Sequence, residues 1–220
     1  MYADSASVLL DSIQAPDELT DKDFAHWCML CGKVTDEAAT GLLPIYQWQR
    51  AQQWFTEHGT AEEQAQIDLY LGRAYVEDGE YDKAMQIYAD ALQLAKEHQA
   101  YNVAGYICAY MADLYGFRDI TSECLKKREE ACEFFKKAEN YKSYAYSLKD
   151  LAGEWAILDS FACTIPLLQK ADSISQLLHN KNLTAAIANA FALIYEMQGK
   201  YNEAETAYLK AISTRSEERY

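Results

Sequence analysis

A small residue recurs every 40 positions along this chain, at Gly32, Gly72, Ala112, Ala152 and Ala192. Around two of these the surrounding pattern is nearly the same. Leu71, Gly72 and Tyr75 are followed by Gly79, Tyr81, Ala84, Tyr88 and Ala91; Phe191, Ala192 and Tyr195 are followed by Gly199, Tyr201, Ala204, Tyr208 and Ala211. A fixed period of this size marks a stack of equivalent units, because one unit cannot bury its apolar stripe alone. The spacing predicts a helical hairpin in each period. The small residue lets a first helix approach its neighbour, glycine with an aromatic two positions later turns the chain, and alanines in the second helix permit close antiparallel contact.

Three prolines and nine glycines in 220 residues suit long helices. An all-β chain would need a turn signal every ~8–12 residues. Half the residues are apolar, enough for a packed core. The pattern predicts a short opening helix over about 3–13, then five antiparallel pairs: 21–38 with 42–57, 62–77 with 81–98, 101–116 with 119–138, 141–157 with 160–179, and 182–197 with 201–217. One continuous solenoid over 1–220 is expected, with repeats at about 21–58, 61–98, 101–138, 141–179 and 181–217. Thr20, Thr60, Ser160 and Asn182 are candidate N-caps, Thr60 with Glu63 three residues on as in a capping box. Pro166 predicts a late start or a slight kink in the 160–179 helix. The middle copies drift: Arg128 stands where an aromatic is expected, and Thr164 and Leu168 replace alanine and aromatic. The first copy, with Thr35, Pro44 and Trp48, keeps only the register.

The segments 65–98 and 185–214 resemble tetratricopeptide repeats, carried by Leu71, Gly72, Tyr75, Gly79, Tyr81, Ala84, Tyr88 and Ala91 in one and Phe191, Ala192, Tyr195, Gly199, Tyr201, Ala204, Tyr208 and Ala211 in the other. The usual repeat is about 34 residues, so these are about six longer. The resemblance implies an all-α fold, a right-handed α–α superhelix, whose first helices line a concave groove for a peptide or partner protein. It implies a binding scaffold rather than an enzyme. Mapped onto this sequence, the groove positions are Gln66, Leu69, Tyr70 and Arg73; Tyr106, Ala109, Tyr110 and Asp113; Tyr146, Lys149, Asp150 and Gly153; and Ala186, Asn189, Ala190 and Leu193. Tyr70, Arg73, Tyr106, Tyr110, Asp113, Tyr146, Lys149, Asp150 and Asn189 are the candidate contacts. Tyrosine suits such a role, with large area, a polar tip and little rotamer entropy. The lysine and asparagine set with which some of these proteins clamp a terminal carboxylate is not reproduced. Tyr75, Tyr81, Tyr88, Tyr115, Tyr195, Tyr201 and Tyr208 are core positions by register.

A net charge of −14, from 34 acidic and 20 basic side chains, argues against nucleic acid and anionic membrane as direct partners. No apolar run reaches the ~18–20 residues of a membrane span. His26, Cys28 and Cys31 are the most metal-like cluster, yet a structural zinc needs four ligands and no second pair stands at ligand spacing. Both cysteines fall with Phe24, Trp27 and Leu30, so core packing is expected, with no metal or other cofactor. The remaining cysteines are expected as free, buried thiols acting as small apolar residues. Nucleophilic triads and phosphate-binding glycine loops are absent.

Ala204, Ala207, Tyr208, Ala211 and Ile212 give the last helix packing faces. The expectation is that the native chain continues past Tyr220 or that this end self-associates. Residues 4–13 are similar to the segment that precedes the repeats in a group of bacterial envelope-anchored repeat proteins. That resemblance implies an alternative role, as the sensing or oligomerisation segment of a larger signalling protein. It points to the periplasm, while the free cysteines point to the cytoplasm.

Overall fold

The protein is described by a computed structural model covering residues 8–10, 12–38 and 41–216. The chain is all-helical, with its helices in repeating pairs. Among the described residues there are ten α-helices: α1 (Asp21–Ala38), α2 (Ile45–His58), α3 (Ala61–Glu77), α4 (Tyr81–Glu97), α5 (Tyr101–Phe117), α6 (Thr121–Lys137), α7 (Tyr141–Ile157), α8 (Phe161–Leu177), α9 (Lys181–Met197) and α10 (Tyr201–Ser216). A 3₁₀ turn at Pro16–Glu18 precedes them. Of the opening helix expected over 3–13, residues 8–10 are helical; 1–7 and 11 lie outside the described residues, as do 39–40 and 217–220. None of the described helices is long and apolar enough to cross a membrane.

Beneath the 40-residue period lies one of 20. From α3 to α9 a three-residue turn follows each helix, and the second residue of that turn adopts a left-handed conformation. These residues are Gly79, Gln99, Asp119, Glu139, Asp159, His179 and Gly199, all with positive φ. The next N–H donates back five residues: Glu80 to the Tyr75 carbonyl (2.8 Å), Ile120 to Tyr115 (2.9 Å), Ser160 to Trp155 (2.9 Å) and Lys200 to Tyr195 (2.8 Å), with the same bond at each of the other three turns. This closure satisfies carbonyls that the helix end leaves open and reverses the chain sharply. Only two of the seven positions carry glycine, the residue that adopts this conformation without cost.

Helix starts follow from their caps. Thr60 and Glu63 form the expected capping box around the start of α3. The Thr20 hydroxyl accepts the Asp23 N–H at 3.2 Å. Asn182, expected as a cap, lies inside α9; Asn180 caps that helix instead, accepting the Leu183 N–H at 2.9 Å, because the turn at His179 starts the helix two residues earlier. Ser160 stands at its cap position without a side-chain bond to the helix. Pro166 lies inside α8, which begins at Phe161 rather than late.

Two compact units, residues 1–114 and 115–220, divide the chain, the boundary falling inside α5. In the first, α1 packs on α2, α2 on α3 and α3 on α4. Its core gathers Phe24, Trp48, Phe55, Ile67 and Tyr70. In the second, α6 packs on α7, α7 on α8, α8 on α9 and α9 on α10, and the first helices α7 and α9 also touch. Ala152, Ala156, Leu168 and Ile194 form its core, with Phe161, Ile165 and Phe191 against them.

The small residues of the 40-residue period are buried in every copy. A β-carbon on Gly72 would lie 2.3 Å from the Tyr88 ring, and one on Gly32 2.4 Å from the Tyr70 ring. Those rings lie directly on bare backbone. In the second unit Ala152 shares a cluster with Leu168, the residue in the register position of Tyr88, and the smaller partner leaves room for a methyl. Second-helix alanines keep the same step: Ala51, Ala91, Ala131, Ala171 and Ala211 are all buried.

Candidate partner-binding site

The first unit fills its own groove positions. Tyr70, expected on the groove surface, is wholly buried, since Gly32 offers no side chain to hold its ring away and Trp48 packs 5.3 Å from it. Arg73, one turn further along α3, places its guanidinium 4.9 Å from the centre of the Tyr110 ring and 5.9 Å from that of Tyr70. Tyr110 in turn stacks on Tyr88 at 6.4 Å, with 22° between the ring planes. Burial pushes the Tyr88 phenol well above its ordinary range, with Tyr110 adding to the shift and Arg73 opposing it. Tyr106 and Tyr110 are half-buried and Asp113 is exposed. The result is an interlocked set of three rings and one cation.

The second unit is open at the same register. Between α7 and α9 runs a cleft of about 360 Å³. Ala156, Leu168, Ala190 and Ile194 form its apolar floor. Its walls carry two ion pairs: Arg128 with Glu154 at 3.5 Å, and Lys149 with Asp150. Gly153 opens one side, where an added β-carbon would meet nothing. Ile157, Leu193 and Met197 stand at the rim, 69%, 48% and 51% exposed. Of the expected contacts, Lys149 and Asp150 line this cleft. Tyr146 is half-buried one turn before Asp150, its phenol raised by burial and then by the Asp150 charge; Asn189 is half-buried.

Arg128, Glu154, Leu168, Ile194 and Met197 were not among the expected contacts. The signal for the rim lies in the register: the position held by Glu77 in the first unit is Ile157 and then Met197 in the second. Charge follows the same division. Residues 1–114 hold 19 acidic and 6 basic side chains, a net −13, whereas residues 115–220 hold 15 and 14, a net −1.

Among the described residues no three His, Cys, Asp or Glu side chains come together as a metal-holding set. The buried Cys28 thiol donates to the Gln47 carbonyl at 3.8 Å, and burial raises its pKa well out of the reactive range. Burial, with Asp150 nearby, pushes the Cys132 thiol up to about 12. Cys163 is exposed, as is the Tyr201 ring, unlike the core position its register implies.

Family models for the tetratricopeptide repeat match residues 71–99 and 184–218. Among solved structures, BtubC (BKLC) from P. vanneervenii is similar with a TM-score of 0.73 at 16% identity, covering 99% of this chain and 91% of that one. A Podosopora anserina putative kinesin light chain with nearly identical TPR-like repeats gives 0.64 at 14% identity, covering 93% and 98%. A Rap protein complexed with Competence and Sporulation Factor gives 0.65 at 9% identity, covering 91% and 66%. No curated protein matches the chain. None of these likenesses supports the resemblance of residues 4–13 to envelope-anchored proteins.

Proposed function

Because the chain is a tetratricopeptide-repeat protein, a fold that serves protein–protein interaction, we propose that it is a non-catalytic scaffold holding a peptide or partner segment in the cleft of its second unit. The observation that carries this reading is the cleft itself, an apolar floor opened by Gly153 and Ala190 and set between stacked first helices. Such a floor desolvates an inserted side chain, which is how a few anchors dominate an interface. Helix packing holds the walls in place beforehand, so little conformational entropy is lost on docking. The titratable groups of the walls are engaged with one another in the two ion pairs, an arrangement suited to binding rather than proton transfer. The Rap structure, complexed with its factor, is an instance of this fold holding a second molecule.

A photo-crosslinking amino acid at Leu193, introduced in the source organism, should capture one discrete protein. The substitution Ala190→Trp, which fills the floor, should abolish the adduct. Equal capture with and without that substitution, or capture only from Tyr106, removes the cleft as the docking site.

A second contact is supported by α10. Ile212 is 64% exposed, while Leu92 and Cys132 at the same register are 6% and 8% exposed. With Leu209 (59% exposed) it gives this helix an uncovered apolar face fit for self-association. Light scattering should show a mass above the monomer that Ile212→Asp returns to the monomer value; a monomer at all concentrations rules this contact out.

A further inference from the structure

The cleft can be compared with the same register positions in the first unit, where the chain fills them itself. Tyr70 and Tyr110 correspond to Asp150 and Ala190, Arg73 and Asp113 to Gly153 and Leu193, and Tyr88 to Leu168. Three rings, a guanidinium and a carboxylate are thus exchanged for an alanine, a glycine, two leucines and an aspartate, and that exchange leaves the volume of about 360 Å³. We propose that the cleft receives an aromatic side chain from the partner, seated where the first unit seats its own tyrosines. This rests on the reading that the cleft is the docking site, and adds the chemical class of the anchor.

Two features favour a ring over an aliphatic anchor. The guanidinium of Arg128 lies in the wall, only 12% exposed in its side chain and held by Glu154. A cation fixed beside an apolar floor attracts the face of an aromatic ring, as Arg73 does with Tyr110 in the first unit. The rim supplies the second feature. Where the first unit has Glu77 and Asp113, the cleft has Ile157 and Leu193, with Met197 beside them, so an entering ring passes aliphatic side chains rather than charges. Since each wall charge already has a partner, the anchor needs no charge of its own, and the second unit's net −1 gives no pull towards a basic segment.

The test uses the full chain with labelled methyl groups and three uncharged probes: N-acetyl-tryptophanamide, N-acetyl-tyrosinamide and N-acetyl-leucinamide. The aromatic probes should move the methyl resonances of Leu168, Leu193 and Ile194 upfield by ring current, and bind about threefold to tenfold more tightly than the leucine probe. Replacing both members of the wall pair, Arg128→Met with Glu154→Gln, should remove most of that preference. Rebuilding the first unit's arrangement with Gly153→Arg and Ala190→Tyr should abolish the shifts with helicity intact. If that variant loses helicity, Leu193→Ser on the exposed rim serves instead and should weaken both aromatic probes. Equal affinity for the three probes overturns the aromatic anchor while leaving crosslinking at Leu193 unaffected. Absence of any shift at these methyls overturns it as well.

Discussion

The guanidinium of Arg73 lies 4.9 Å from the centre of the Tyr110 ring, joining a side chain of α3 to one of α5 in the first unit. The same cation lies 5.9 Å from the Tyr70 ring centre, and Tyr88 stacks on Tyr110. The contact engages side chains at three first-unit positions of the α3 and α5 register, Tyr70, Arg73 and Tyr110. Its strength is measurable. A double-mutant cycle on Arg73→Ala and Tyr110→Ala, followed by urea denaturation, should give a coupling of about 0.5–1 kcal/mol. Additive effects would mean the two side chains do not sense each other.

The bare backbone at Gly72 gives a second expectation. Gly72→Ala places a methyl against the buried Tyr88 ring and should destabilise the protein by about 1–3 kcal/mol, despite alanine's better helix propensity. Adding Tyr88→Leu should recover much of the loss, because the pair then matches Ala152 with Leu168. Failure to recover would show that the ring does more than occupy that space.

Turn residues offer the opposite sign. Asp159 holds φ +55° without being glycine. Asp159→Gly should stabilise by about 0.5–1 kcal/mol, the cost of a left-handed residue less the added freedom of the unfolded chain. Gly199→Ala, at φ +71°, should cost about 1 kcal/mol in the same assay.

Asp68 sets a pH dependence. Burial pushes its carboxyl up to about 6 from 3.8, with the nearby Asp90 charge adding to this and the 2.7 Å hydrogen bond from Gln52 opposing it. The folded state therefore holds the proton more tightly than the unfolded chain. Its contribution to stability is greatest below about 3.8 and is lost as the pH rises through about 6. Asp68→Asn keeps an acceptor for Gln52 without the buried charge. It should be more stable than the parent by about 1–3 kcal/mol at pH 7, the gap closing at pH 4. A gap that is constant across urea titrations from pH 4 to 7 would contradict this.

The helical hairpins were legible because the apolar, small and aromatic residues of α3–α4 and α9–α10 keep their spacing. The boundaries of α3 and α4 fall within a residue of those expected. The 20-residue step was hidden, since Gln99, Asp119, Glu139, Asp159 and His179 occupy left-handed positions that only Gly79 and Gly199 announce by residue type. Without that step, Asn182 rather than Asn180 reads as the cap of α9. Tyr70 was misplaced for a different reason: its burial depends on Gly32, 38 positions earlier, and on which way the ring swings between helices. The cleft was half-legible. Gly153 and Ala190 were visible as small residues at groove positions, but the space they leave depends equally on Leu168 standing where a tyrosine stands in the first unit.

The seven identical turns have a consequence for how such a chain can change length. A joint that closes a hairpin and a joint that links two hairpins share one backbone form, so the turn geometry alone does not tell a helix whether it is the first or second member of its pair. Between α3 and α10, losing or gaining a single helix with its turn would keep the form of the joints, yet exchange the two roles for all that follows, moving small residues off the faces they now pack. Viable lengths should therefore differ by whole pairs, and the parity of the helix count, more than any one side chain, guards the order of the stack.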